Sequence, residues 1–205
     1  MSPNIGTTSK GNRYCVFLSG EPRYWQKTKS HVTSVFGVEP IVKDIESDQK
    51  RILRELDHSR MVFDGLSDVI SECDVVIRYR SDCMMHDHSC QRLHKFFDDC
   101  AEHERIGVEN LHFKHGRPVM NGRIFFGQPH LMHQLLHTAI PDVEPQSNAW
   151  GMWFMQSGLH VVNYPIVTAA YKHEPKEVTF EEAQQSEKTY RSNYKWVPPF
   201  YGDYL

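Results

Sequence analysis

Apolar residues arrive along this chain in two alternating rhythms. The run YCVFLS from Tyr14 to Ser19, closed by Gly20, is continuous, the pattern of a strand buried on both faces. Over residues 22–36 the spacing turns helical. Trp25, Thr28, Val32 and Val35 fall near one face, Pro22 fits a first turn, and Gly37 can end the helix. Residues 40–45 form a second strand candidate. From Ser47 to about Ser71, Ile52, Leu56, Phe63, Leu66 and Ile70 make an amphipathic stripe that Gly65 can break in two. Residues 74–80 are again strand-like. Residues 89–104 read as a helix with Leu93, Phe96, Phe97 and Cys100 inward, and 105–108 as a weak strand. Residues 123–126 form a strand closed by Gly127, and 129–140 a helix. Residues 146–156 suit a Trp- and Met-rich helix stopped by Gly158, followed by strands at 160–163 and 166–167. No repeat recurs at a fixed period. Residues 1–12 are polar and read as a loose arm, and the tail from Pro175 is polar, then aromatic.

Strand and helix in alternation predict an α/β fold, one domain over residues 1–205 with a mainly parallel central sheet flanked by helices. In such sheets ligands bind beyond the carboxyl ends of the strands. That rule selects Gly20 to Arg23 after the first strand and Arg78 to Cys83 after the middle one.

Charge narrows the choice of partner. Lys and Arg number 23 against 26 Asp and Glu, a formal net charge of -3, so no cationic surplus is available for sequence-independent nucleic-acid binding. No apolar run approaches the roughly 20 residues of a transmembrane helix, and the first residues lack a secretory leader. The expectation is a cytoplasmic protein without a membrane span. Five cysteines, an odd number, suit reduced thiols better than a disulfide framework.

Four segments carry candidate chemistry. In the first, Gly20 lets a ligand approach the backbone and Arg23 offers a fork for a phosphate, although neither a dinucleotide fingerprint nor a P-loop is present. In the second, strand alternation puts Asp74, Val76, Arg78, Arg80 and Asp82 on one face. A carboxylate there suits Mg²⁺ or Mn²⁺ while arginines meet phosphate oxygens. The alternative is an internal Arg–Asp pair that closes the strand. The third, Cys83 to His94, is dense in Cys and His, which supports a zinc-stabilised module as a minor alternative without any standard zinc spacing. The fourth, residues 120–132, has an Asn121–Gly122 turn, a short strand and Gly127, which again allows close approach. Asp142 and Glu144 follow and are the nearest carboxylates for a base. Nucleophilic triads are not readable, because so many Cys and His form pairs by chance.

Taken in order, residues 16–23 (VFLSGEPR), 74–82 (DVVIRYRSD) and 120–132 (MNGRIFFGQPHLM) resemble small glycosyltransferases of the GT-A fold. The nearest likeness is to WavE-like polysaccharide-synthesis proteins and transferases of large DNA viruses. The resemblance spans roughly residues 14–135. It implies a nucleotide-sugar donor (a UDP- or GDP-sugar) at the strand ends, a glycan or other hydroxyl acceptor, and Mn²⁺ or Mg²⁺ bridging the diphosphate. Asp82 takes the place of the metal-binding aspartate, but the full D-x-D is absent, since Arg80 and Met84 flank it. Gly122 stands where the family has an aspartate. Gly20, Arg23, Arg78, Arg80, Asp82, Asn121 and Gly127 are the implied donor-binding residues, with the three arginines as the diphosphate clamp. Inversion at the anomeric carbon needs a carboxylate to take the acceptor proton, for which Asp142 and Glu144 are nominated. The departures leave a second reading, a catalytically inactive protein of the same fold that binds a sugar or nucleotide, or another partner.

Overall fold

A computed structural model describes residues 4–20, 25–43, 51–109, 111–120, 122–139, 146–166 and 168–170. In chain order the strands are β1 (Ile5–Thr7), β2 (Arg13–Ser19), β3 (Val75–Arg80), β4 (Cys83–Met85), β5 (Ile106–Glu109), β6 (His112–Lys114), β7 (Arg117–Val119), β8 (Ile124–Gly127), β9 (Val161–Tyr164) and β10 (Thr168–Ala170). The helices are α1 (Trp25–Phe36), α2 (Arg51–Asp64), α3 (Ser67–Ile70), α4 (Asp87–Cys90), α5 (Leu93–Glu102), α6 (Pro129–His137) and α7 (Gln146–Gln156).

The main sheet has the order β1-β2-β3-β8-β5-β9. β2 and β3 pair in parallel, as do β5 and β9, while β8 runs antiparallel between β3 and β5. Four of the six strands therefore point the same way, with β1 and β8 reversed. The α/β reading with a mainly parallel sheet holds. The unbroken apolar runs of β2 and β3 follow from burial on both faces. Tyr14, Val16, Leu18, Val75, Ile77 and Tyr79 pack with Val32 and Phe36 of α1 and Phe97 of α5. Their alternate neighbours Cys15, Phe17 and Val76 pack with Leu56 and Phe63 of α2, Leu135 of α6 and Trp153 of α7. Each large apolar side chain buried this way contributes about 1.5–3 kcal/mol.

Several expectations need correction. The first residues are not a loose arm throughout. Ile5–Thr7 pairs antiparallel with β2, Ile5 opposite Cys15. Thr8 Oγ1 and Asn12 Nδ2 both donate to Asp98 of α5, the latter at 2.7 Å. That polar anchor joins positions about ninety residues apart, so no local pattern announces it. The strand expected at 40–45 reduces, among the described residues, to a single bridge between Ile41 and Phe17. Gly65 does interrupt the long helix, and Lys43 Nζ donates to its carbonyl. The Cys/His segment supplies β4, which pairs with β10. Among the described residues no three of His, Cys, Asp or Glu gather as a metal site. No described helix is long and apolar enough to cross a membrane.

Candidate functional site

The carboxyl ends of the parallel strands gather most of the described candidates. β2 ends at Ser19 and Gly20, and β3 at Arg80 followed by Ser81 and Asp82. The two strand ends are joined there by Ser81 N donating to Ser19 O at 2.9 Å. Gly20 has φ +116°, and a Cβ at this position would stand 2.7 Å from Ser81 Oγ. Glycine is thus required both by backbone conformation and by close approach.

Arg78 and Arg80 share a face by strand alternation but have different surroundings. Arg78 is fully buried. Its Nε donates to Ser19 Oγ at 2.5 Å and to Ser59 Oγ of α2 at 3.3 Å, and its Nη1 donates to the Gly122 carbonyl. The guanidinium carbon lies 5.3 Å from the Phe125 ring and 5.1 Å from the Trp150 ring, in cation–π range. It ties β2, α2, β3, β8 and α7 together from inside.

Arg80 sits at the rim. Its Nε donates to Asp82 Oδ1 and its Nη2 to Asp82 Oδ2 at 3.2 Å, with 17% and 29% of the two side chains exposed. Burial pushes the Asp82 carboxyl up. The charge and hydrogen bonds of Arg80, a hydrogen bond from Cys83 and the charge of Arg123 outweigh it, so the net shift is below the ordinary carboxylate value. Asp82 is ionised at neutral pH.

A second polar group adjoins this pair and was not singled out from sequence. Arg123, which precedes β8, is buried, receives Arg80 N at its carbonyl at 2.8 Å, and donates from Nη1 to Thr168 O at 2.9 Å. Glu109, the last residue of β5, is also buried and accepts from Thr168 Oγ1 at 2.7 Å and from Thr168 N at 3.2 Å. The signal was present, since both are charged residues flanking short apolar strands, where the strand-end rule directs attention. Spacing obscures it, because 105–108 reads as a weak strand and Arg123 as the first residue of the next strand.

The remaining candidates divide. Gly127 lies at the other end of the sheet. β8 is reversed, so Gly127 pairs with Val76 and Ile106 at the starts of β3 and β5, about 13 Å along β3 from Arg80 at strand rise. A Cβ on Gly127 would meet Ile106 Cδ1 at 2.5 Å, so packing, not ligand approach, accounts for this glycine. Arg23, Asn121, Asp142 and Glu144 lie outside the described residues. Gly122 has φ +61°, and a Cβ there would fall 2.5 Å from the Trp150 indole, so Trp150 occupies the space a larger side chain would need.

No family model matches the chain, and no curated protein matches it significantly. Solved structures do match in shape. One is a glycosyltransferase involved in glycosylation of the major capsid of PBCV-1, with TM-score 0.53, 12% identity, and coverage of 74% of this chain and 81% of that one. Another is A197 from STIV, with TM-score 0.49, 10% identity, and coverage of 78% and 86%. At these identities shape alone is shared. The chain has a GT-A-like α/β fold, as the PBCV-1 transferase likeness shows.

Proposed function

We propose that the protein is a glycosyltransferase that moves a sugar from a nucleotide-sugar donor, a UDP- or GDP-sugar, to a glycan or other hydroxyl acceptor. The observation that carries the proposal is the convergence of Gly20, Arg80 and Asp82 at the carboxyl edge of this sheet. Glycosyl transfer expels a nucleoside diphosphate, and charge develops on its leaving oxygen. Arg80 at the rim, with Arg123 behind it, provides fixed positive charge for that oxygen in a partly water-excluded site. Asp82 holds the Arg80 fork in one orientation. Asp142 and Glu144 remain the nominated bases for the acceptor hydroxyl.

The described residues do not fit a divalent cation well. Asp82 offers the site's rim carboxylate, both of its oxygens accept from Arg80, and no three potential ligands gather. The proposed diphosphate partner is therefore guanidinium, and Mn²⁺ or Mg²⁺ is tested as an addition.

Calorimetry with a panel of UDP- and GDP-sugars, with Mn²⁺ and with EDTA, is the test. Binding of one donor that weakens at least tenfold in Arg80→Ala supports the proposal. Absence of binding to every donor by folded protein overturns it. The packing of Trp150 against Gly122 favours a second reading, a donor-binding protein without turnover. Donor binding with neither transfer nor donor hydrolysis would select it.

A further inference from the structure

Cys15 and Cys73 meet at the amino edge of the sheet, the edge opposite Gly20 and Arg80. Cys15 stands near the start of β2 and is fully buried. Cys73 lies in the turn between α3 and β3. Asp74 N donates to Arg13 O at 2.8 Å and Tyr14 pairs with Val75, a register that lays this turn against the start of β2. Both cysteines belong to the same core face, and both are free. Their thiols form a hydrogen-bonded pair. Cys73 accepts from Cys15 and donates to the Val69 carbonyl at 3.3 Å.

The two sulfurs differ in access. A cavity of about 350 Å³ is lined by Cys73, Asp74, Ala101, Gln128, Pro129 and His130. Cys73 therefore borders space that a small molecule can enter, and Cys15 stands behind it. Asp74 and His130 are exposed and form the mouth. The first turn of α6, with Gln128 as its N-cap and Pro129 inside it, opens on the same cavity and presents the positive end of the helix dipole there. The hydrogen bond from Cys15 holds the Cys73 thiol below its ordinary pKa. The charge of Arg13 helps, against burial and the carboxylates of Asp74 and Glu72. The same hydrogen bond, together with burial, pushes Cys15 up. The accessible sulfur thus has the greater thiolate character, and the sulfur behind it keeps its proton, which is the division of labour between an attacking and a resolving cysteine.

We propose that Cys73 is an oxidation site for a hydroperoxide and that Cys15 is its resolving thiol, the two closing into an intramolecular disulfide. The Cys73 sulfur attacks one oxygen of the hydroperoxide, the O–O bond breaks, and Cys73 becomes a sulfenic acid. The proton that Cys73 gave up ends on the departing oxygen, which leaves as water or as an alcohol. The Cys15 sulfur then attacks the Cys73 sulfur. The S–O bond breaks, and the departing hydroxide takes the Cys15 proton and leaves as water. The sulfur pair loses two electrons and the hydroperoxide gains them. Cys73 precedes the β2–β3 ladder, so the turn supplies the closing movement that a disulfide requires. The bond fastens the start of β2 to the turn that enters β3. This site is independent of the transferase reading.

The experiment treats the full reduced chain with hydrogen peroxide, blocks remaining thiols with iodoacetamide after unfolding, and digests with trypsin. Cleavage after Arg13, Arg23, Arg60 and Arg78 isolates Cys15 in residues 14–23 and Cys73 in residues 61–78. The expected product is these two peptides joined, two hydrogens lighter than their sum, in protein that still runs as a monomer on a non-reducing gel. Dithiothreitol should separate them. Cys83 and Cys100, both fully buried, should remain reduced. Cys15→Ala should leave Cys73 as a sulfenic acid that dimedone traps, and Cys73→Ser should leave Cys15 reduced. The wild-type peptides decide the matter if either variant fails to fold. Reduced Cys73 after peroxide, Cys73 sulfinic acid without joined peptides, joining only in urea, or Cys73 joined to a different cysteine overturns the proposal. Oxidation of Cys15 in folded Cys73→Ser overturns the assigned roles.

Discussion

At the amino edge of the sheet Arg13 meets Glu72 at 2.5 Å with 45% and 57% of the side chains exposed, and at the carboxyl edge Arg80 meets Asp82 with 17% and 29% exposed. Each pairs an arginine with a carboxylate, and the surroundings differ. Water screens the first pair, and its loss is worth little. The second is half-buried, backed by Arg123 and Glu109, and lies a short step from the wholly buried Arg78. Removing charged groups from water costs free energy that a stable fold need not spend. Arg105 and Asp99 at the amino edge, 19% and 31% exposed, carry a similar cost, so half-burial of an ion pair does not by itself mark the carboxyl edge, where ligands bind in sheets of this kind. At the other edge glycine serves packing. Gly127 abuts Ile106, and Gln128 Nε2 donates to the Cys100 and Ala101 carbonyls at 3.2 and 2.9 Å, closing the end of α5.

The contrast can be broken most severely at Arg78. Truncation to Ala removes the guanidinium donor from Ser19, Ser59 and the Gly122 carbonyl and opens a cavity between Phe125 and Trp150. Urea unfolding should show a loss of roughly 3–5 kcal/mol. Lys in its place should recover only a small part, because an ammonium cannot reproduce the fork. A loss below about 1 kcal/mol would mean Arg78 is not the internal tie described here. Next in size is Gly122→Ala, which forces a Cβ into the Trp150 indole at a positive φ. The expected cost is about 2–4 kcal/mol by thermal or chemical unfolding. Near-neutral behaviour would show that Trp150 moves freely and that the site has room for a carboxylate after all.

The smallest effect separates the two edge pairs by pH. The folded-state pKa of Asp82 is depressed, so its contribution is fully present above the unfolded value near 3.9 and disappears as pH falls through the lower folded value. Stability measured from pH 6 down to pH 2 should decline less steeply in Asp82→Asn than in wild type. Arg13→Ala should cost under about 1 kcal/mol at neutral pH. Identical profiles for wild type and Asp82→Asn would place Asp82 outside any effective pairing.

Sequence reading reached the layer order because burial on both faces leaves unbroken apolar runs in β2 and β3, and amphipathic stripes mark α2 and α5. It missed β1, since three residues of mixed polarity carry no period. It missed the β6–β7 hairpin, whose turn places a histidine where Asn or Gly is usual. For the site, the strand-end rule located Gly20, Arg80 and Asp82 in one place. Alternation alone gave Arg78 and Arg80 equal standing.

What the chain's linear order determined, then, is which segments are strands and helices and which strand ends are polar, because those depend on spacing between near neighbours. The reversal of β8, which sends Gly127 to the far edge, was decided only by tertiary structure. So were the burial of Arg78 between rings supplied by residues 125 and 150, and the meeting of Glu109 with Thr168. Each rests on contacts between residues tens of positions apart, whose free energy depends on shape and desolvation at the meeting point and leaves no periodic trace along the chain.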